Sequence, residues 1–83
     1  MEKTIYTSEY AIVLRLVKEA RERAGLTQVQ LAKKLRQSQS FVSKIECGDR
    51  RLDIIQLRTI CRLLGLGLSD FVEQLEQELT RKR

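Results

Sequence analysis

Apolar residues recur along most of the chain at intervals of three and four, which is the period of an amphipathic α-helix. The first such stretch predicts a helix from Ser8 or Glu9 to Ala24, followed by Gly25, which suits a left-handed C-terminal cap. No proline interrupts this helix or any later one. Its inner stripe consists of Val13, Val17, Ala20 and Ala24, with Leu14 and Leu16 beside it.

Short polar residues that favour helix N-caps mark four further helix starts. Thr27 is followed three residues later by Gln30, and Asp53 by Gln56, which is the spacing of a capping box. Ser38 and Ser69 are predicted as the other two N-caps. The predicted helices cover residues 27–35, 39–47 before Gly48, 53 to Gly65, and 69 through Leu79.

This pattern predicts an all-α protein, a compact five-helix bundle that forms a single domain over residues 1–83. Residues 1–8 form an N-terminal extension, and residues 80–83 form a frayed tail. The second and third helices are joined by a turn of about three residues, which predicts a helix-turn-helix over about 27–47. In that motif the second helix of the pair enters the major groove of DNA.

The excess positive charge lies in the middle of the chain. The net charge is +5, and residues 25–52 carry six basic and two acidic side chains, whereas the segments on either side are close to balanced. Such a distribution is typical of a surface that binds a polyanion, although an ordinary solvated surface can also carry it.

The residue inventory argues against an enzyme. The chain has no histidine, which excludes Ser-His-Asp and Cys-His nucleophiles, and its four glycines form no phosphate-binding loop. Cys47 and Cys61 match no zinc spacing, so we expect two reduced thiols and no metal, cofactor or small-molecule ligand. No apolar run reaches about 18 residues and the N-terminus has no signal-peptide pattern, which predicts a cytoplasmic protein without a membrane partner.

The predicted helix 39–47 has one polar face and one apolar face. At about 100° per residue, its polar side chains other than Glu46 fall within an arc of about 140°, opposite Phe41, Val42 and Ile45. Glutamine can bind adenine, lysine can reach guanine and serine can serve either, and no carboxylate lies in this arc. A plain amphipathic surface helix is the alternative. The predicted base-contacting residues are Gln39, Ser40, Ser43 and Lys44.

Two stretches strengthen the DNA-binding interpretation: RERAGLTQVQLA at 21–32 and QSFVSKIE at 39–46, with Gly48, Arg50 and Arg51 behind them. In this combination and spacing, residues 13–72 resemble the phage repressor and Cro proteins, known as the XRE family of transcriptional regulators. The resemblance implies five helices, with base recognition early in the third. It also implies phosphate contacts from Thr27 and Gln28, and from Arg50 and Arg51 in the following loop.

Several of these assignments have simpler alternatives. Thr27 can act purely as a cap, although a helix N-terminus also binds phosphate, and Arg50 and Arg51 can be a solvated pair. The family commonly has glycine where this chain has Arg36. The resemblance further implies an ion pair between Arg21 and Glu46, since Glu46 falls at the border of the inward face.

The function predicted from the sequence is sequence-specific binding of double-stranded DNA by a homodimer that regulates transcription. The antitoxin of a toxin–antitoxin pair and a protein–protein adaptor remain alternatives with the same fold. RNA binding lacks support because aromatic residues for base stacking are scarce. In the predicted dimer, Phe71 and Val72 face the core, Leu75 and Leu79 meet the second copy, and Ile5 and Tyr6 add to the same patch. The alternative is that Leu75 packs internally and Leu79 lies in a frayed end of the helix.

Overall fold

A computed structural model describes residues 8–81 of the chain. It contains five α-helices and no strand within that range, which confirms the prediction of a compact all-α bundle. Ile5, Tyr6 and the last two residues of the predicted tail lie outside the described residues. The helices are α1 (Ser8–Arg23), α2 (Gln28–Leu35), α3 (Gln39–Glu46), α4 (Ile54–Leu63) and α5 (Leu68–Arg81).

The helix starts that were predicted from capping residues are confirmed for α2, α3 and α4. Thr27 and Asp53 each form a complete capping box, in which the side chain accepts from the N–H three residues on and the glutamine there returns the bond. The Ser38 hydroxyl accepts from the backbone N–H of Phe41 at 3.2 Å. Each of these caps satisfies N–H groups that the helix itself leaves unpaired.

The start of α5 differs from the prediction. The helix begins at Leu68, so Ser69 is a helical residue and not the N-cap. The carbonyl of Gly67 already accepts from the N–H of Phe71 at 3.1 Å, and Leu68 is half-buried against the core. Packing of Leu68 therefore sets the start of the helix ahead of the serine. At its other end α5 continues to Arg81, which corrects the prediction that residues 80 and 81 belong to a frayed tail.

All five helices contribute to one apolar core. The largest side chains with almost no exposure are Phe71, Leu31, Ile45, Val17 and Cys61. Burial raises the pKa of the Cys61 thiol. Both cysteines are free thiols, as expected, and Cys47 is exposed.

On α5 the apolar residues that face inward differ from the predicted ones. Phe71 is fully buried, and Leu75 and Leu79 are half-buried against the core. Val72 is 42% exposed, so the prediction that it faces the core is wrong. The helix is also tied to α1 by Arg15, which donates to Glu78 at 2.8 Å. Hydrogen bonds from Arg15 and then Arg81 hold the pKa of Glu78 below its usual range.

The turn between α2 and α3 has the geometry that usually calls for glycine. Arg36 adopts φ 59° and ψ 40°, and it is the only non-glycine residue with positive φ among residues 8–81. Its N–H donates to Lys33 O at 3.1 Å, and the N–H of Gln37 donates to Ala32 O at 2.9 Å. This pair of bonds is a Schellman motif, which closes the end of α2 and turns the chain toward α3.

Arg36→Gly should stabilise the fold, because glycine adopts this conformation without the steric penalty of a Cβ atom. We expect the free energy of unfolding to rise by about 1 kcal/mol in urea denaturation. Gln37→Gly is the matched control, since Gln37 does not have positive φ. It should leave stability unchanged or lower it. A stability gain in the control, or a loss with Arg36→Gly, would contradict strain at Arg36.

Candidate nucleic-acid interface

Packing between α2 and α3 sets the orientation of the predicted recognition helix. Leu31 and Ala32 from α2 and Val42 and Ile45 from α3 are each at most 2% exposed. They belong to the same core cluster, so the opposite faces of the two helices point to solvent. Phe41 is half-buried beside them, which confirms the inward face that was predicted from the spacing.

The residues predicted to contact DNA all lie at the surface of the protein. Gln28 and Ser43 are half-buried, and the others are exposed. The exposed residues are Thr27, Gln39, Ser40, Lys44, Arg50 and Arg51. The structure brings two of the predicted residues into direct contact, since Gln39 Nε2 donates to Gln28 Oε1 at 2.7 Å.

An ion pair lies immediately beneath this surface. Arg21 donates from Nε to Glu46 Oε2 at 2.7 Å and from Nη2 to Oε1 at 3.1 Å, which is a two-point contact. The side chains are only 9% and 5% exposed, so the half-buried or buried pair implied by the resemblance is present. Arg21 Nη1 also donates to the backbone oxygen of Leu26 at 2.8 Å. The hydrogen bond to Glu46 raises the pKa of Arg21, which keeps the guanidinium charged.

Glu46 has a third donor that the sequence analysis missed. Gln28 Nε2 donates to Glu46 Oε1 at 2.9 Å, and Gln28 in turn accepts from Gln39. The four side chains therefore form a continuous chain of hydrogen bonds from α1 to the exposed start of α3. Sequence spacing identifies the members as polar, but these contacts run between different helices and depend on how the helices pack.

Aromatic rings hold the two arginines of the loop after α3. The Arg50 Cζ lies 4.8 Å from the ring centroid of Phe41, and the Arg51 Cζ lies 5.0 Å from that of Tyr10. Such cation–π contacts restrict a guanidinium while leaving its N–H groups available at the surface. The Tyr10 hydroxyl also accepts from the backbone N–H of Leu52 at 3.0 Å, which joins the loop to α1.

The role of Tyr10 is a second feature that sequence analysis missed. Its partners lie about 40 residues further along the chain, and nothing in the local pattern marks them. Thr27, by contrast, is a cap as its position indicated. Its hydroxyl oxygen accepts from Gln30 N at 3.1 Å, and its O–H can still donate to another group.

Other classes of site find little support within residues 8–81. No group of histidine, cysteine, aspartate or glutamate side chains there could hold a metal ion. No helix in the described part of the chain has the length and apolar character needed to cross a membrane.

Two short helices packed against each other and joined by a three-residue turn, with an outward polar face and a basic loop behind it, define a helix-turn-helix domain. A helix-turn-helix family model, HTH_3, matches residues 17–71. An XRE-family like protein from Pseudomonas syringae is 43% identical, over 90% of this chain and 92% of that one, with a TM-score of 0.82. The chain therefore belongs to the XRE family of helix-turn-helix proteins, which are DNA-binding transcription regulators.

A second solved structure supports the fold alone. The clp gene regulator ClgR from Corynebacterium glutamicum is 21% identical, and the likeness covers 86% of this chain and 76% of that one, with a TM-score of 0.74. A comparison with curated proteins finds no match.

Glu46→Ala should destabilise the protein strongly, because it leaves the Arg21 guanidinium buried without its carboxylate. We expect the free energy of unfolding to fall by about 3–5 kcal/mol, measured by chemical denaturation. The control is Glu19→Ala, which removes a carboxylate from an exposed pair with Arg15 and should change stability far less. Equal effects of the two substitutions would show that the Arg21–Glu46 pair contributes no more than a surface pair.

Proposed function

We propose that the protein regulates transcription by binding double-stranded DNA sequence-specifically, with α3 in the major groove. The observation that carries this proposal is the charge of the exposed face of α3. The one carboxylate of the helix, Glu46, is turned inward and bound to Arg21. The remaining exposed side chains are neutral or cationic, which suits a surface next to phosphates, whereas an adaptor surface would be apolar or acidic.

Base contacts are assigned to the outward side chains of α3. Glutamine and lysine can make two-point contacts with purine edges in the major groove, and serine can donate or accept. These side chains, three exposed and Ser43 half-buried, lie on one side of a helix whose other side is buried, which supports the assignment. The proposed base-contacting residues are Gln39, Ser40, Ser43 and Lys44.

Phosphate contacts are assigned to the two ends of the motif. Thr27 and Gln28 lie at the N-terminus of α2, where free backbone N–H groups and the helix dipole attract an anion. Arg50 and Arg51 lie in the loop after α3, and their stacking on Phe41 and Tyr10 supports a preformed cationic edge. Such contacts supply affinity and register without reading sequence.

Replacing a base-contacting residue should weaken the preferred DNA site selectively. Gln39→Ala or Lys44→Ala should each cost about 1–3 kcal/mol on the site enriched from random duplex DNA, with a much smaller loss on unrelated duplexes. Lys18→Ala, which removes an exposed cation from α1, is the control for net charge. The groove assignment fails if both α3 variants bind the preferred site as tightly as the wild type.

Replacing a phosphate-contacting arginine should instead weaken binding to all duplexes alike. Arg50→Ala or Arg51→Ala should reduce the slope of log affinity against log salt concentration by about 0.9, the value for one lost phosphate contact. Binding titrations over a range of salt concentrations measure this slope. A variant that keeps the slope but changes the preferred bases would assign that arginine to base recognition.

The proposed DNA-binding species is a homodimer. One recognition helix reaches only a few base pairs, and a two-fold dimer reads two half-sites about 34–36 Å apart. Leu75 and Leu79, the contacts predicted from the sequence, already pack against the core. Ile54 and Ile55, at the start of α4, are 58% and 67% exposed, so we infer that the interface includes this pair.

Ile54→Glu/Ile55→Glu should abolish the dimer without unfolding the protein. Carboxylates are favourable in the first turn of a helix, so α4 should tolerate them. Sedimentation equilibrium should give a wild-type dimer and a monomeric variant, with Val72→Glu, at another exposed apolar position, as a dimeric control. A wild type that stays monomeric at high micromolar concentration and on DNA would rule out the homodimer. A dimer that survives the double substitution would move the interface elsewhere.

A further inference from the structure

The loop after α3 holds its two arginines in different ways. Arg50 is held by α3 itself, since its guanidinium lies over Phe41 and its backbone N–H donates to Lys44 O at 3.0 Å. Arg51 instead lies over the ring of Tyr10, in the first turn of α1. We propose that Tyr10 is a positioning residue for DNA binding, which holds the guanidinium of Arg51 in the orientation that meets a phosphate. This inference rests on the proposed function, in which Arg51 contacts the DNA backbone.

Tyr10 holds the loop at two neighbouring points. The Cζ of Arg51 lies 5.0 Å from the ring centroid, and the Tyr10 hydroxyl accepts from the backbone N–H of Leu52 at 3.0 Å. The ring restrains the side chain of Arg51, and the hydroxyl restrains the backbone directly after it. A guanidinium carries its five N–H donors in one plane, so a ring against its face leaves these donors unobstructed. The same contact can therefore fix the charge and present it to a phosphate.

Two carboxylates of the same loop compete for Arg51. Asp49 and Asp53 each lie two residues from Arg51 in the sequence, and both are exposed. A salt bridge to either carboxylate would occupy donors that a phosphate needs. Within residues 8–81, however, Arg51 forms no ion pair. Stacking on Tyr10 thus holds the guanidinium away from the acidic neighbours that would otherwise be its nearest partners.

A guanidinium that is already restrained also binds at a lower entropic cost. Ordering one long side chain at an interface lowers affinity by about 2- to 10-fold, and a contact present before binding removes most of that loss. Tyr10 is half-buried near the start of α1, so its replacement leaves the fully buried side chains of the core in place. Its effect on DNA binding can therefore be measured in a folded protein.

The experiment is a double-mutant cycle between Tyr10→Leu and Arg51→Ala, with affinity measured on the site enriched from random duplex DNA and on an unrelated duplex. Tyr10→Leu should weaken binding to both duplexes by about 2- to 10-fold, because the freed guanidinium must be ordered on binding. In the Arg51→Ala background the same substitution should change affinity by less than about 2-fold, because no guanidinium remains to be positioned. A residue that acts only on the fold would give equal losses in the two backgrounds.

Two further variants separate the ring from the hydroxyl and from general packing. Tyr10→Phe keeps the ring and should bind DNA within about 2-fold of the wild type, since the cation–π contact remains. Val13→Ala removes apolar atoms from another half-buried residue of α1, so it should lower the melting temperature without weakening DNA binding.

Circular dichroism melting establishes that each variant is folded. If Tyr10→Leu shows no cooperative transition, Tyr10→Met takes its place, because methionine fills irregular space without a ring. Failure of both variants to fold would show that Tyr10 is needed for the fold itself, which would overturn the positioning role.

The possible outcomes distinguish the inference from the proposed function. If Arg51→Ala weakens binding and Tyr10→Leu does not, the positioning role is wrong and the phosphate contact stands. Equal losses in the two backgrounds, or a Tyr10→Phe variant as weak as Tyr10→Leu, would also overturn the inference. A loss confined to the enriched site would assign Tyr10 to base recognition instead. If Arg51→Ala binds every duplex as tightly as the wild type, the phosphate contact itself fails, and the positioning role fails with it.

Discussion

The ion pair between Arg21 and Glu46 is the contact on which the arrangement of the motif depends. It joins residues 25 positions apart, from the end of α1 to the end of α3, through two hydrogen bonds. Buried pairs add little net stability over an apolar contact, but a mispaired buried charge is very costly, so they restrict how elements can pack. Because Arg21 also binds the Leu26 carbonyl, the pair anchors the loop that leads into α2. α1, α2 and α3 are thereby oriented by one guanidinium.

What the sequence could predict was mostly what depends on neighbouring residues. The caps at Thr27, Ser38 and Asp53 were readable because each bonds a group three residues away. The start of α5 was not, because burial of Leu68 against distant helices outweighs the capping tendency of Ser69. A local capping bond therefore determines where a helix begins, unless a tertiary contact such as the burial of Leu68 stabilises a different start.

The candidate site likewise has features that the local sequence predicts and features that depend on tertiary contacts. Helical spacing correctly separated the buried face of α3, with Val42 and Ile45, from its exposed face. It could not reveal that Gln28 and Gln39 are bonded to each other, or that Tyr10 and Phe41 lie under the two loop arginines. Those contacts join separate elements, and their existence depends on interhelical distances that periodicity does not encode. The family resemblance supplied the positions of the surface residues but not the bonds among them.

The shortness of the two motif helices has a further consequence. α2 and α3 contain eight residues each, fewer than the roughly 12–15 at which an isolated helix becomes even marginally stable in water. A peptide cut from residues 39–46 would therefore be a coil, and the exposed face of α3 exists only while the whole core is intact. Folding and ligand binding are consequently thermodynamically coupled. Any molecule that binds the assembled face raises the folded fraction by mass action, so the occupied protein melts at a higher temperature than the free one.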